Sequence, residues 1–224
     1  MFALWAADPA ALRAAALRAE LAAAGVHRVQ LNLDDADVAP ALRLATAEPI
    51  AAIVSTWSGD ETAPAAVVAA LRRVSGRVAG WRVDERRRLD PPGVPDGERA
   101  DALANVAVIR RPAELDRAEW LRRWLVDHTP VAIRTQATFG YVQNVVLEPV
   151  TTGAPFVSGL VEELFPTAGM TDPHAFHGSG GDEAELARRF SALMASVARI
   201  GADRDLDLVP SSRYAYTLAH GSHL

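Results

Sequence analysis

The sequence predicts an α+β fold built from two consecutive β-α-β-β-α-β units. Three observations favour this fold. Strand-like and helix-like segments recur twice in the same order, each helix-like segment begins at a residue suited to capping, and a turn-rich stretch separates the two halves. The 224 residues, 50% of them hydrophobic, suffice for one large domain or two small ones.

The first predicted unit spans residues 1–90. The apolar run Phe2 to Ala6 fits a buried strand, and Asp8-Pro9 begins an Ala/Leu-rich helix that should end at Gly25. Residues Val26 to Leu33 alternate apolar and polar side chains, which is typical of a strand. The later elements are a strand at 49–57, a helix from Thr62 and Pro64 to Ser75, and a strand at 78–86.

Residues 91–100 form the predicted linker, because the stretch is rich in Pro, Gly and Asp. The second unit spans residues 101–218, and we expect the tail 219–224 to be disordered. Its helices begin at Asp116 and Asp182, each followed three residues later by a Glu in a capping pattern. Pro130 would kink the first of these helices if it continued to Thr135. The predicted strands cover 105–110, 139–147, 156–165, 206–209 and 213–218.

The element order is that of a ferredoxin-like unit, in which helices cover one face of an antiparallel sheet. The other face of each sheet is apolar and needs a partner. Two units in one chain can cover each other, so the sequence predicts that they pair as an intrachain barrel with a central cavity. Such a barrel removes the need for a second chain, although it leaves a homodimer open.

Composition excludes several classes of function. The chain has no Cys, so disulfides, thiolate metal sites and Cys nucleophiles are excluded. A net charge of −5 argues against nucleic acid or an acidic membrane as a partner. No apolar run reaches the roughly 18 residues that span a bilayer, and the first residues lack the basic region of a secretory signal. We therefore expect a soluble cytoplasmic bacterial protein with a small-molecule ligand.

Motifs in the second unit resemble the EthD family. They are Arg110-Arg111-Pro112, then Trp124 to Pro130 (WLVDHTP), then Gly140 to Asn144 (GYVQN), and Phe156 to Phe165 (FVSGLVEELF). In that family an Asp-Gly pair and a following Glu are usual in the last of these segments. Here Ser158 stands at the Asp position and Glu162 matches the Glu. The resemblance covers residues 101–216, and the first unit shares only the layout.

The resemblance implies a dimeric α+β barrel fold with small organic molecules bound inside the barrel. Relatives in that superfamily include cofactor-free oxygenases, cyclases, lactone isomerases and some haem enzymes. We accordingly expect cofactor-independent acid/base chemistry of cyclase, isomerase or dehydratase type. The site should lie mainly in the second unit, with the first unit mainly completing the walls.

The catalytic candidates are His128, Glu162 and Tyr141. His128 shares a helix face with Trp120 and Trp124, and a histidine titrates near neutral pH. Glu162 shares an apolar strand face, where burial would raise its pKa unless a partner holds it. Tyr141 could orient a carbonyl or stabilise an enolate. Each of the three has a purely structural alternative, as a packed His, a paired Glu or a sheet aromatic.

The substrate-binding candidates are Trp124, Gln143 and Asn144, with Gln143 on the strand face of Tyr141 and Asn144 on the opposite one. His174 and His177, with the nearby Asp172, could bind a metal. Because a Gly-rich stretch follows them, we favour a lid or surface loop there and assign no metal.

Two functional hypotheses from different classes remain. The first is an enzyme using His128, Glu162 and Tyr141, and the second is a non-catalytic ligand-binding or structural barrel. The enzyme hypothesis requires His128 and Glu162 to face one enclosed cavity, and it fails if side chains close the cavity or if the two residues face opposite sides of the sheet. A third hypothesis, haem binding through a His, is tested by a Soret shift on mixing with haem.

Overall fold

The computed structural model describes residues 1–59 and 64–218 and contains the predicted element order twice. The strands are β1 (Phe2–Ala7), β2 (Val26–Leu33), β3 (Ala52–Ser58), β4 (Ser75–Leu89), β5 (Leu103–Ile109), β6 (Gly140–Pro149), β7 (Gly159–Phe165) and β8 (Asp207–Thr217). The helices are α1 (Pro9–Leu12), α2 (Ala15–Ala23), α3 (Pro64–Arg72), α4 (Arg117–Arg122), α5 (Thr129–Thr135), α6 (Pro173–His177) and α7 (Glu183–Arg199). Thr62 and the predicted tail 219–224 lie outside the described residues.

The strands close into one antiparallel barrel in the order β1-β3-β2-β8-β5-β7-β6-β4. Each unit contributes four adjacent strands, and the seams are the β2–β8 and β4–β6 pairs. Because both seams are hydrogen-bonded along much of their length, the barrel leaves no sheet edge between the units. The prediction of two ferredoxin-like units paired within one chain is confirmed.

The barrel interior is filled rather than hollow. One half holds a cluster of apolar side chains that includes Trp5, Trp81 and Leu160. The other half holds buried polar side chains around Glu162, and the cavity among them is only about 20 Å³. A space of that size holds at most about one water molecule. The expected ligand-sized cavity is thus not found around Glu162, because inward-facing side chains fill this half of a narrow barrel.

Helices cover the outside of each half-barrel. Helices α2 and α3 pack on the first unit, and α4, α5 and α7 pack on the second. Asp8, Asp116 and Asp182 cap their helices by accepting hydrogen bonds from backbone N–H groups of the first turn, as the sequence predicted. No helix in the described ranges is long and apolar enough to cross a membrane.

Two helices depart from prediction. The first is interrupted between α1 and α2, where Ala14 is extended (ψ 142°). The carbonyl of Arg13 thereby loses its helical partner and accepts from the Arg18 guanidinium instead. The helix of the second unit does reach Thr135, but it passes through a π-helical turn at Arg123–His128. That turn ends two residues before Pro130, whose nitrogen has no hydrogen to donate to the helix ladder.

Candidate active site

A large cleft lies on the outer side of the barrel wall, between the sheet of the second unit and its helices. Its volume is about 1070 Å³. Strands β5, β6 and β7 form its floor and α7 forms much of its roof, with mostly apolar lining side chains such as Ile109, Val161 and Leu193. A cleft of this size and composition suits a small, mostly apolar molecule.

Trp124 and His128 reach the cleft from the π-helical turn. Both are buried, and the Trp124 indole comes so close to β7 that a Cβ placed at Gly159 would lie 2.3 Å from its ring. Only a glycine leaves that room. The glycine of the Ser158-Gly159 pair thus has a packing role, while the Ser158 hydroxyl accepts from the Arg111 backbone N–H at 2.9 Å.

A polar row crosses the apolar floor of the cleft, and we call Asn105, Glu163 and Tyr141 the cross-strand row. Glu163 lies on the middle strand, directly opposite Asn105 on one side and Tyr141 on the other. All three line the cleft. Opposing residues on neighbouring strands are about 5 Å apart, so the row spans roughly 10 Å.

Glu163 is the titratable centre of this row. Burial among apolar neighbours raises the pKa of its carboxyl to about 7. The Gln136 side-chain amide satisfies its hydrogen-bonding groups when its oxygen and nitrogen positions are exchanged. In that orientation its nitrogen donates to Glu163 Oε1 at 3.1 Å and to the Ala132 carbonyl at 3.2 Å. No cationic side chain among the described residues forms an ion pair with Glu163. The hydrogen bond from Gln136 favours the ionised form and opposes the effect of burial on the pKa, so both the protonated and the ionised carboxyl are accessible near neutral pH.

Tyr141 is 1% exposed, and its hydroxyl has no hydrogen-bond partner within residues 1–59 and 64–218. Burial, followed by the charge of Glu163, raises the pKa of the phenol well above its ordinary value. The hydroxyl therefore stays protonated at neutral pH and can donate a hydrogen bond to a ligand in the cleft.

His128 also lines the cleft, with Nδ1 2.9 Å from the Ser196 hydroxyl on α7. Burial lowers the pKa of its imidazole to about 4. The ring is consequently neutral at pH 7, so it is a hydrogen-bonding group there and a weak base. Of the six predicted site residues, the structure brings Trp124, His128 and Tyr141 together in this cleft.

Glu162 and Asn144 face the other way, into the barrel interior. Glu162 accepts from Gln30, Asn32 and Arg213. Its ion pair with Arg213 (3.1 Å) has both side chains almost fully buried. His128 and Glu162 thus lie on opposite sides of the sheet, and the predicted site that joins them does not form. The surroundings of Glu162 match the structural alternative given above, in which a buried Glu is held by an Arg.

Gln143 shares the strand face of Tyr141 but does not reach the cleft. It is fully buried between sheet and helix, where its amide donates to Thr129 Oγ1 at 3.0 Å and accepts from Arg88 Nε at 2.9 Å. Thr129 in turn donates to the Trp124 carbonyl at 3.1 Å. These bonds link β4, β6 and the helix, so Gln143 supports the wall of the cleft from behind.

The histidine-rich segment borders the cleft mouth and contains the short helix α6, rather than only the loop that was expected. His177 Nδ1 lies 2.9 Å from the Thr135 carbonyl, while His174 contacts Ser179 and Glu183. Asp172 caps α6. Among the residues that the structure describes, no group of three or more His, Asp or Glu side chains could hold a metal ion.

The first unit contributes more than a wall. Its loop before β3 reaches the cleft, which is lined by the exposed Leu42 of this loop and by the exposed Phe190 of α7. Reciprocal backbone hydrogen bonds of 3.2 and 2.9 Å fasten this loop through Leu44 and Leu208. Thr46 bonds Asp207 Oδ1 through both its N–H and its hydroxyl. The mouth of the cleft is thus built by both units.

Sequence reasoning missed Glu163 and Asn105. Strand β7 is buried on both faces, so the pair Glu162-Glu163 places one carboxylate on each side and alternation does not tell which side carries the helices. For Asn105 a signal was present, because Asn is depleted in strands and here interrupts the apolar run Leu103–Ile109.

Comparisons with known proteins support the fold. No protein-family model matches the chain, and no curated protein matches it. A solved structure described as an anthrone oxidase-like protein has a TM-score of 0.53 and 9% identity, covering 100% of this chain and 93% of that one. A structure described as a putative monooxygenase from Lactobacillus acidophilus NCFM has a TM-score of 0.49 and 8% identity, covering 97% and 95%. The first of these likenesses shows a shared α+β barrel fold.

Proposed function

We propose that the chain is an enzyme that binds a small, flat, mostly apolar ketone in the outer cleft and removes a proton from the carbon beside the carbonyl. The observation that carries this proposal is Glu163, a carboxyl with a pKa of about 7 and no cationic partner among the described residues, on the floor of an apolar cleft. A base whose pKa lies near the working pH is suited to proton transfer.

The reaction needs only groups that are present in the row. Glu163 takes the proton, the C–H electron pair forms the carbon–carbon double bond of an enolate, and the carbonyl π pair moves onto oxygen. The Tyr141 hydroxyl donates a hydrogen bond to that oxygen as charge develops there. Return of the proton from Glu163 to the α carbon exchanges the hydrogen. With a β,γ-unsaturated ketone the anion is a dienolate, and return of the proton to its γ carbon moves the double bond into conjugation and completes an isomerisation.

The surrounding residues prepare the site. The apolar lining and the buried Trp124 limit water around the carboxyl, which keeps its pKa raised. Gln136 holds one carboxyl oxygen, leaving Oε2 as the atom that would take the proton. The neutral His128, anchored by Ser196, offers a further hydrogen-bonding group to the ligand.

Two resemblances fit this proposal. Trp124, His128 and Tyr141, which belong to the EthD-like motifs, line the cleft, whereas the motif residues Glu162 and Asn144 do not. We propose that the predicted EthD relationship concerns this cleft rather than the barrel interior. Anthrone, the compound for which one structural neighbour is named, is a flat tricyclic ketone. Its acidic hydrogens lie on the ring carbon opposite the carbonyl rather than beside it, so the likeness to the proposed substrates is in flat, apolar shape alone.

The test is deuterium exchange of the benzylic α-hydrogens of 2-tetralone, a flat bicyclic ketone, followed by proton NMR in deuterated buffer. We expect the wild-type protein to accelerate the exchange. Glu163→Gln should lose roughly 10²–10⁴-fold of that acceleration, and Tyr141→Phe about 10²-fold. Glu98→Gln, on an exposed loop, is the matched control and should exchange like the wild type. Binding of 2-tetralone with exchange no faster than in buffer would overturn the proposal in favour of a non-catalytic ligand-binding barrel.

A further inference from the structure

Asn105 is the feature of the cleft that the proposed chemistry leaves unexplained. It lies on β5 with its side chain towards the helices, is 5% exposed, and lines the cleft beside Leu103 and Ala107. Among residues 1–59 and 64–218, its Oδ1 is the one fully buried side-chain polar atom without a hydrogen-bond partner.

An unpaired buried amide destabilises a folded protein, and native structures contain few of them. Most apolar residues of similar size would fit this strand position, where Asn is a poor strand former. The amide also makes no hydrogen bond to Glu163, which lies directly opposite in the β5–β7 register, so it does not position the carboxylate. A hydrogen-bonding partner that arrives with the ligand explains why the amide is unpaired, why an Asn stands in this strand, and why it does not bond Glu163.

We propose, on the basis of the function proposed above, that Asn105 recognises a hydroxyl group of the substrate, at the end of the molecule remote from the reacting carbonyl. In the cross-strand row, Glu163 lies between Asn105 and Tyr141. A ligand lying along the row with its carbonyl at Tyr141 therefore places its α-hydrogens over Glu163. Its far end then reaches Asn105, roughly 10 Å from Tyr141 at the level of the backbone.

The chemistry of the site favours a hydroxyl over other polar groups. A hydroxyl both donates and accepts, so it satisfies Oδ1 in one amide orientation and the amide nitrogen in the other. A carboxylate at that place would be repelled by the Glu163 carboxylate. An ammonium group would lose its hydration among Leu103, Ala107 and their apolar neighbours. The substrate class is thus a flat ketone that carries a hydroxyl at its opposite end.

The experiment compares 2-tetralone with 6-hydroxy-2-tetralone, whose hydroxyl and carbonyl lie at opposite ends of the ring system. Affinities are measured through quenching of tryptophan fluorescence, since Trp124 lines the cleft. We expect the wild type to bind the hydroxylated ketone roughly ten-fold more tightly. Asn105→Leu should bind the two ketones equally, whereas the exposed control Glu98→Gln should keep the preference for the hydroxylated ketone.

Asn105→Val provides a second variant if the leucine side chain disturbs folding, and thermal unfolding of both variants checks that they are folded. Equal wild-type affinity for the two ketones overturns the inference, as does a hydroxyl preference that survives in both variants. These outcomes differ from failure of the proposed function, in which the wild type exchanges neither ketone faster than buffer does. An inference that fails while exchange persists removes only the role of Asn105.

Discussion

The raised pKa of Glu163 predicts that this carboxyl destabilises the fold at neutral and alkaline pH. In the unfolded chain the carboxyl has its ordinary pKa of 4.5, whereas in the folded chain the pKa is about 7. The folded state therefore binds the proton more tightly. The penalty is absent below pH 4.5, grows as the pH rises from 4.5 to 7, and is constant above 7.

The size of the effect follows from the pKa difference. A rise from 4.5 to about 7, at about 1.4 kcal/mol for each pH unit, corresponds to a penalty of up to about 3 kcal/mol. Glu163 is half-buried rather than fully buried, so solvent in the cleft reduces this value. Glu163→Gln keeps the bond to Gln136 and stays neutral at every pH. For a chain of this length, about 1–3 kcal/mol raises Tm by roughly 2–10 °C.

The assay is thermal unfolding of the wild type, Glu163→Gln and the exposed control Glu98→Gln at pH 4.5 and pH 8. We expect Glu163→Gln to unfold at a higher temperature than the wild type at pH 8 and at nearly the same temperature at pH 4.5, while the control follows the wild type. A Glu163→Gln variant that is less stable than the wild type at pH 8, or equally shifted at both pH values, would refute the reasoning.

Three further predictions concern packing and charge. Gly159→Ala should destabilise the fold by about 1–3 kcal/mol in urea unfolding, because its new methyl group meets the Trp124 indole that packs on β7. Gly93→Ala, whose methyl group meets no atom within 4 Å, should not, and equal effects would contradict the packing. Arg213→Met should cost about 3–5 kcal/mol by leaving Glu162 buried and unpaired. The double variant Arg213→Met/Glu162→Gln should regain at least half of the free energy of unfolding that Arg213→Met loses. A double variant no more stable than Arg213→Met would count against the ion pair. NMR titration should find the His128 imidazole neutral at pH 5.5, since its pKa is lowered to about 4, and a charged ring at that pH would disprove its burial.

Much of the fold was predictable because local patterns and global fold agree. Strand β2 was predicted at its observed bounds, since Val29, Leu31 and Leu33 alternate with polar side chains along most of its length. The caps at Asp116 and Asp182 marked the starts of the two long helices of the second unit. Two features depend on long-range packing instead. The extension of β4 to Leu89 rests on pairing with β6, and the merging of 206–218 into one strand rests on pairing with β2 and β5.

The candidate site was predictable only in part. Helical spacing brought Trp124 and His128 to one face, and period-two alternation placed Tyr141 correctly relative to Gln143 and Asn144. The choice between Glu162 and Glu163 depended on which face of β7 the helices cover. The sequence does not show this, because both faces of the strand carry apolar side chains. Cross-strand register, a property of the assembled sheet, sets Glu163 between its two polar neighbours.

The most direct test of the central claim is the pH profile of 2-tetralone exchange by the wild-type protein. If Glu163 is the base, the rate above background should rise with pH, with a midpoint near its pKa of about 7, and then level off. Glu163→Gln should abolish that component, while Glu98→Gln should retain it. A wild-type profile without a midpoint between about pH 6 and 8, or one that persists unchanged in Glu163→Gln, would contradict the account.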